Sequence, residues 1–417
     1  MHVDMYNTAT LPNGLRIIHL PSASPVVYCG YEVAAGAADE DKLHEGLAHF
    51  CEHTTFKGTS RRSALDIINC LESVGGDLNA FTTKTDTVYY SAIMNSHLAR
   101  AVDLLTDIVF HSTYPQGEID KEVEVICDEI ESYNDSPAEL VYDEFENIIF
   151  KGTPLGHNIL GTADRVRSYK TADALAFTRK YYRPDNAVFF AYGDIEFDKL
   201  VELLSKENFP ETKELKAASG DESVLYGQTG TSPYTGQTVR IVKNTHQAHV
   251  MLGCRAYGVN DERRMALYLL NNILGGPGMN ARLNLNLRER HGLVYTVESS
   301  MVNYATTGLW SVYFGCDPND VDECLKLVRS ELDKVIDAPL SEEQLAAAKQ
   351  QIKGQIGIAC DNRESFALDF GKSFLHYGWE KDIRKLYSHI DALTTKQLQE
   401  VARDIFPSDK LTTLIFE

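Results

Sequence analysis

No run of apolar residues in this chain approaches the roughly 18 residues that indicate a transmembrane helix. The first residues, Met1 to Asn7, lack the basic and apolar regions of a secretory signal peptide, and they lack the Arg-rich character of a mitochondrial presequence. A cytoplasmic location without a membrane span is therefore expected, although a trimmed precursor would begin in the same way.

Basic residues are in the minority, because the chain has 40 lysines and arginines against 60 aspartates and glutamates. The net charge of −20 at pH 7 argues against nucleic acid as a partner, since a phosphate backbone is bound by a cationic surface. Eight cysteines are present, but none of them forms a C-x-x-C pair. Most lie among apolar residues, which predicts buried, reduced thiols rather than a disulfide framework.

The 417 residues are many for a single core and predict two domains of about 200 residues each. The same order of patterns recurs in both halves: two strands, a helix that ends at Gly-Gly, further strands, and a last helix followed by a proline turn and a strand. Each repeat is expected to be an α+β layer of helices on a mixed, mostly antiparallel sheet. The predicted boundaries are 1–209 for the first domain, 210–237 for a linker, and 238–417 for the second domain.

The most informative motif is H-x-x-E-H, formed by His49, Glu52 and His53. The segment 43–56 has no proline and one glycine near its start, so a helix is expected there. At about 100° per residue, the two histidines lie about one turn apart on one side of that helix, where their ring nitrogens can converge on one metal ion. Glu52 lies on the adjoining edge, where a carboxylate can take a proton from zinc-bound water. The alternative interpretation is a surface helix with two solvated histidines.

A catalytic zinc site needs a third protein ligand. Residues 119–133 carry an apolar stripe at helical spacing, and Glu122 and Glu129 lie about two turns apart on one side of that predicted helix. The residues alone leave an acidic, solvated face as the alternative. Asp128 is the nearest rival as a ligand, but its direction differs by roughly 100° from that of the Glu122 face.

The segment GLAHFCEHTTFKGT at 46–59, followed by EVEVICDEI at 122–130, resembles the pitrilysin superfamily of zinc metallopeptidases, the inverzincins. It is similar in particular to the half-length branch that includes mitochondrial processing peptidase and its bacterial relatives, and the resemblance covers essentially the whole chain. What it implies about the site is that one zinc ion per chain is bound by three ligands, that one glutamate is the general base, and that a further glutamate orients an imidazole from outside the coordination sphere. The three ligands are His49, His53 and Glu129, the base is Glu52, and the orienting residue is Glu122.

Further site residues follow from the same resemblance. In the second half, the segment LRERHGLVY matches a family motif whose arginine and tyrosine bind substrate and support the transition state, which here implies Arg288 and Tyr295. An ordinary surface arginine and a core tyrosine are the alternative. In the first half, the segment LNAFTT matches the edge strand to which an extended substrate adds, so Asn79 and Ala80 are expected to bind substrate.

The resemblance implies a zinc endopeptidase that hydrolyses short, unfolded peptides, with zinc-bound water activated by Glu52. It also implies that each chain is half of a clamshell and that two chains enclose a chamber, so a bacterial homodimer with two composite sites is expected. The negative charge suits a chamber that attracts basic peptides, but solubility explains it equally well. A non-catalytic structural subunit of the same fold and the catalytic subunit of an obligate heterodimer are the alternatives. The segment 152–161 matches the family pattern too, and is expected to shape the surroundings of the site.

Overall fold

The computed structural model describes residues 6–210 and 234–417, so most of the predicted linker lies outside the described residues. These residues form two compact units. The first comprises residues 6–132, 157–210 and 359–382, and the second comprises residues 133–156, 234–358 and 383–417. Each unit is one sheet covered by helices.

The first unit is built on a six-stranded sheet. Its strands are β1 (Asn7–Thr10), β2 (Arg16–Pro21), β3 (Val26–Val33), β4 (Asp77–Thr82), β5 (Thr87–Met94) and β6 (Ala187–Gly193). They lie side by side in the order β1-β2-β6-β3-β5-β4. Every neighbouring pair is antiparallel except β2 with β6, which confirms the predicted mixed, mostly antiparallel sheet.

The second unit is built on a five-stranded sheet. Its strands are β7 (Thr238–Ile241), β8 (Ala248–Tyr257), β9 (Val294–Asn303), β10 (Thr307–Cys316) and β11 (Thr412–Phe416). They lie in the order β7-β11-β8-β10-β9, and β7 with β11 is the parallel pair. This order and these directions repeat those of β2-β6-β3-β5-β4, which is the duplication that the sequence pattern predicts.

The helices of the described residues are numbered here in chain order. They are α1 (Leu47–Thr55), α2 (Ala64–Glu72), α3 (Leu98–His111), α4 (Gln116–Asn134), α5 (Pro137–Ile149), α6 (Ala163–Ser168), α7 (Thr171–Tyr181), α8 (Phe197–Lys206), α9 (Arg264–Gly275), α10 (Val321–Asp337), α11 (Glu342–Ala359), α12 (Arg363–Tyr377), α13 (Ile383–Ala392) and α14 (Thr395–Ile405). The segment Asn284–Arg290 is a π-helix. None of the helices in the described ranges is long and apolar enough to cross a membrane.

The core of the first unit follows from alternation along its strands. Every second residue of β3, including Cys29 and Tyr31, is fully buried on the face that also carries Phe50 of α1 and Leu105 of α3 in one hydrophobic cluster. This packing holds the metal-motif helix α1 against the sheet.

Two helices pack on the sheet formed mainly by the other half of the sequence. Helix α5 packs against β8 and β11 of the second sheet, and helix α12 packs against β3 and β6 of the first. The compact units therefore depart from the predicted contiguous domains in two segments, 133–156 and 359–382. The reason lies in the strands: nearly all residues of β6 are buried, so the sheet needs cover on both faces.

Candidate metal centre

Helix α1 places the H-x-x-E-H motif beside the core of the first unit. The helix begins after Gly46, whose φ of 90° lies in the left-handed region that favours glycine. Phe50 is fully buried and sets which side of the helix faces inward. His49 and Glu52 are buried and His53 is half-buried, so the motif does not lie on a solvated face.

Helix α4 brings two glutamates to the same place. Its apolar stripe is buried, and Glu122 and Glu129 flank the stripe on the side of His53. Asp128 is exposed and does not belong to the group of residues whose potential ligand atoms converge.

His49, His53 and Glu129 are the one group of at least three potential metal ligands found within the described ranges, with ligand atoms that all lie within 4.8 Å of one another. Oε2 of Glu129 is 3.8 Å from Nε2 of His49 and 3.2 Å from Nε2 of His53. Two atoms that each lie 2.0–2.1 Å from a tetrahedral zinc ion are about 3.3 Å apart. Two imidazoles and a carboxylate at this spacing fit a zinc ion with one position left open for water or substrate.

His53 is oriented by a second carboxylate. Its Nδ1 lies 3.1 Å from Oε1 of Glu122, and Nζ of Lys57 lies 2.6 Å from the other oxygen of that carboxylate. Burial alone lowers the pKa of His53, but its hydrogen bonds with Glu122 and Glu129 outweigh burial and raise the pKa to about 9. The bond at Nδ1 turns Nε2 towards Glu129, which is the role expected of Glu122.

His49 is held differently. Burial is the main reason that its pKa is lowered to about 4, and the neighbouring His53 acts in the same direction. The imidazole is therefore neutral near pH 7, the form that binds metal. Its Nδ1 is buried and has no hydrogen-bond partner among the described residues.

Glu52 has the surroundings of a general base. Burial raises the pKa of its carboxyl, and a hydrogen bond from Thr82 together with the charge of His53 acts against that rise. Oγ1 of Thr82 donates to Oε2 of Glu52 over 2.8 Å. The carboxylate is thus held beside the metal ligands without belonging to their converging group. Its other oxygen, Oε1, is left to accept a proton.

The predicted substrate strand is β4, at the edge of the first sheet. Asn79 pairs with Tyr90 and Ala80 with Tyr89 of β5, while the other side of β4 has no strand partner within the described part of the chain. Thr82, on the same strand, is the residue that contacts Glu52. An unpaired strand edge therefore lies next to Glu52, where an extended peptide could add by backbone hydrogen bonds.

Arg288 and Tyr295 lie in the second unit rather than in the unit that holds the metal ligands. Arg288 lies in the last turn of the π-helical segment, and Tyr295 is the second residue of the edge strand β9. The guanidinium carbon is 5.7 Å from the centre of the tyrosine ring, and the tyrosine is 82% exposed. It is not the core tyrosine of the alternative interpretation, and the two side chains are neighbours as the motif implies.

Two residues that contact glutamates of the site were not predicted from the sequence: Thr82 donates to Glu52, and Lys57 pairs with Glu122. A signal for each was present. Lys57 follows His53 by four residues inside the quoted motif, and Thr82 follows Ala80 by two residues, which places it on the same face of β4.

The fold and the two-histidine, one-carboxylate triad define a metallopeptidase-like chain, and comparison with known proteins specifies the family. Residues 17–163 match the profile described as insulinase (peptidase family M16), and residues 169–352 match the one described as peptidase M16 inactive domain. An uncharacterised zinc protease of Streptomyces coelicolor is 35% identical over 95% of this chain and 86% of its own length. The zinc protease YmxG of Bacillus subtilis is 30% identical over 99% and 98% of the two chains, and the beta subunit of the mitochondrial-processing peptidase of Bos taurus is 30% identical over 96% and 82%.

The chain belongs to peptidase family M16, and the predicted resemblance to half-length pitrilysin-type proteins is confirmed. Solved structures agree at the level of the fold. A protease from Helicobacter pylori superimposes with a TM-score of 0.90 at 20% identity over the whole of both chains. A peptidase M16 inactive domain from Pseudomonas fluorescens gives a TM-score of 0.86 at 18% identity, covering 99% of this chain and 97% of the other.

Proposed function

We propose that this protein is a zinc-dependent endopeptidase that hydrolyses short, unfolded peptides. The observation that carries the proposal is the convergence of His49, His53 and Glu129 beside the buried carboxylate of Glu52. Relatives that are similar over most of the chain bear the name zinc protease, which supports a peptidase-type function.

The residues divide the work in the following way. When bound, a zinc ion would polarise the scissile carbonyl and make a water molecule more acidic. Glu52 takes the proton from the attacking water and then delivers it to the nitrogen of the leaving amine. Thr82 keeps the carboxylate turned towards the site, and Glu122 keeps His53 in the orientation that presents Nε2.

Substrate is held in an extended form along β4. Asn79 and Ala80 lie on this unpaired edge, and a peptide that adds to it needs a free backbone over several residues. Stable folded proteins cannot offer such a segment, so we expect unfolded peptides to be cleaved and folded proteins to be spared.

The proposed assembly is a homodimer in which the first unit of one chain works with the second unit of the other. This assembly is supported by the placement of the site residues: the metal ligands lie in the first unit, and Arg288 and Tyr295 lie in the second. Both Arg288 and Tyr295 fall in the range that matches the profile of an inactive domain. This chain carries both sets, so two copies of it suffice for two complete sites. Arg288 and Tyr295 would stabilise the oxyanion at the scissile carbonyl.

The test uses the purified chain, its zinc content and a library of unfolded peptides. We expect about one zinc ion per chain and peptide cleavage by the wild type. Glu52→Gln keeps all three ligands and should retain zinc while turnover falls by roughly 10²–10⁴-fold, the usual contribution of a general base. Glu131→Gln, on the exposed side of α4, is the matched control and should behave as wild type. Wild-type turnover by a zinc-loaded Glu52→Gln chain would refute the proposal.

A further inference from the structure

The two histidines of the metal centre differ in what positions them. His53 is fixed through its own ring by Glu122, which is held in turn by Lys57. The ring of His49 has no such support, because its buried Nδ1 has no hydrogen-bond partner among the described residues. The direction in which His49 presents Nε2 therefore depends on the backbone of the first turn of α1.

That first turn lacks a cap of its own. The residue before the helix is Gly46, which has no side chain to accept a hydrogen bond from the exposed amides of the turn. A distant carboxylate takes this place. Glu40 accepts a 2.8 Å hydrogen bond from the backbone nitrogen of Gly46 and a 2.7 Å bond from that of Ala48, the residue directly before His49.

The Glu40 carboxylate is itself held in place. Its side chain has no exposed surface, and Nε2 of His157 lies 3.2 Å from Oε2. Lys84, also buried, donates to the backbone carbonyl of His157. Burial raises the pKa of Glu40, and the hydrogen bonds from His157, Ala48 and Gly46 act against the rise.

The backbone on either side of this contact is tightly packed. A Cβ atom added to Gly46 would lie 2.7 Å from the carbonyl oxygen of Leu160 and 2.9 Å from Cα of Gly161. A Cβ atom on Gly161 would lie 2.5 Å from the carbonyl oxygen of Glu45. The backbone that follows His157 is therefore in close contact with the start of α1, with no room for a side chain at either glycine.

We infer that Glu40 is a positioning residue for the metal centre: it aligns His49 through the backbone of α1, as Glu122 aligns His53 through its ring. His157 supports this function by fixing the carboxylate. The inference gives the segment 152–161 a specific role at the site. Its meaning for catalysis rests on the proposed peptidase function, but its direct consequence is a change in zinc affinity, which is measured without substrate.

The test is the zinc affinity of the full chain, measured by competition with a chromophoric chelator. Glu40→Gln keeps the shape of the side chain but replaces one acceptor oxygen with a donor and removes the charge that favours the helix N-terminus. We expect zinc binding to weaken by roughly 10–100-fold, the cost of losing an orienting partner outside the coordination sphere. Glu45→Gln is the matched control, because that carboxylate makes no hydrogen bond among the described residues.

A second measurement separates positioning from general stability. Amide hydrogen exchange in residues 47–50 should speed up in Glu40→Gln, while the strands of the first sheet exchange as in wild type. Combined with Glu122→Gln, the loss in zinc affinity should exceed that of either single variant, because each glutamate acts on a different histidine. Zinc affinity within twofold of wild type in a folded Glu40→Gln chain would overturn the inference.

If Glu40→Gln fails to fold, His157→Leu decides the question. It leaves the two backbone bonds of Glu40 in place and removes only the support of the carboxylate, so a smaller loss of zinc affinity is expected, while His157→Gln, which can still donate, should restore most of it. Unchanged zinc binding in His157→Leu would reject the inference. A wild-type chain that binds zinc but cleaves no peptide would refute the proposed function and leave this comparison of affinities intact.

Discussion

The two units of this chain share one arrangement of five strands but differ in chemistry. The strand orders β2-β6-β3-β5-β4 and β7-β11-β8-β10-β9 agree in sequence and direction, including the single parallel pair in each. In the first unit, the helix that follows β3 along the chain is α1. In the second unit, the helix that follows the equivalent strand β8 is α9. Helix α1 carries the metal motif, whereas α9 has neither histidine nor glutamate. A common scaffold therefore does not require the site.

Helix α9 shows what such a helix does when it only packs. Asn271 donates a 3.2 Å hydrogen bond to the carbonyl of Ser299, and its own oxygen accepts a 3.1 Å bond from the indole nitrogen of Trp310. These polar atoms are used up in holding helix and sheet together. In α1, Nε2 of His49 and Nε2 of His53 point towards Glu129 instead. Burying these nitrogens costs free energy unless each one binds a metal ion or makes a hydrogen bond.

Helices α5 and α12, which each cover the sheet formed mainly by the other half of the sequence, also differ in their contacts. Helix α12 contacts the first sheet through aromatic rings, such as Phe370 against Phe190 of β6. It also contacts the turn between β4 and β5 through charge, because Asp86 is buried there and lies 3.1 Å from Nζ of Lys372 and 3.2 Å from Nε2 of His376. Helix α5 contacts the second sheet through Tyr142, whose ring centre lies 5.1 Å from that of Tyr313 and whose hydroxyl donates to Oε1 of Glu298 over 2.7 Å. Both helices therefore make aromatic contacts, but only the contact of α12 includes a buried carboxylate paired with basic side chains.

The largest expected effect tests whether the two units work together across chains. A Glu52→Gln chain and a Tyr295→Phe chain should each be nearly inactive as homodimers, because each site lacks one group. After subunit exchange, each heterodimer contains one site with both groups intact, so activity should recover to about half that of a normal dimer per heterodimer. If exchange is verified by mass and activity stays at the level of the separate variants, both groups act within one chain.

The next effect tests which residue of α4 supplies the third metal ligand. Glu129→Gln should weaken zinc binding by more than the roughly 10–100-fold that loss of an outer carboxylate costs, since it removes a direct ligand. Asp128→Asn on the same helix and Glu343→Gln on α11, the second unit's helix after α10, should leave the affinity unchanged in chelator competition. Loss of zinc in Asp128→Asn with normal binding in Glu129→Gln would reverse the ligand assignment.

The smallest expected effect concerns the contacts that hold α5 and α12 on their sheets. Asp86→Asn should lower the local free energy of opening of β3 and β6 by about 2–3 kcal/mol, below the range for a fully buried pair because Lys372 is partly exposed. Tyr142→Phe in the second unit removes the hydrogen bond from its hydroxyl to Glu298 and should cost about 1 kcal/mol, because that bond is exposed to solvent. Hydrogen exchange measured by mass spectrometry on peptides from each sheet gives both values, and equal losses would erase the proposed difference.

The pH dependence of that attachment has a definite sign. Burial alone would raise the pKa of Asp86, but the hydrogen bond from His376 and the charge of Lys372 outweigh it and hold the pKa well below its ordinary value. A carboxyl with a depressed folded-state pKa stabilises the fold above its unfolded pKa of about 3.9, and this stability is lost as the pH falls below that value. The free energy of opening of the first sheet, taken from exchange rates corrected for the intrinsic pH dependence of amide exchange, should fall on acidification, and Asp86→Asn should reduce that fall.

Local features were predictable because they depend on spacing within one element. The spacing of His49 and His53 predicts one helix face, and the alternation in 26–33 predicts the strand that the structure contains. The sequence did not predict helices α5 and α12. It predicted contiguous domains, whereas these two helices belong to the compact unit formed mainly by the other half of the chain. No local pattern says which sheet a helix will cover, since that depends on which apolar face is left open after the chain has folded.

What the sequence determined by itself is the chemistry available on each element: two imidazoles and a carboxylate on α1, acidic residues on α4, and a strand beside them. Only the tertiary structure decided which of these atoms meet. Thr82 reaches Glu52 across 30 residues of sequence, and His157 reaches Glu40 across 117. Contacts at such separations are set by the packing of helices on the sheet, and packing is a property of the whole unit that no single segment encodes.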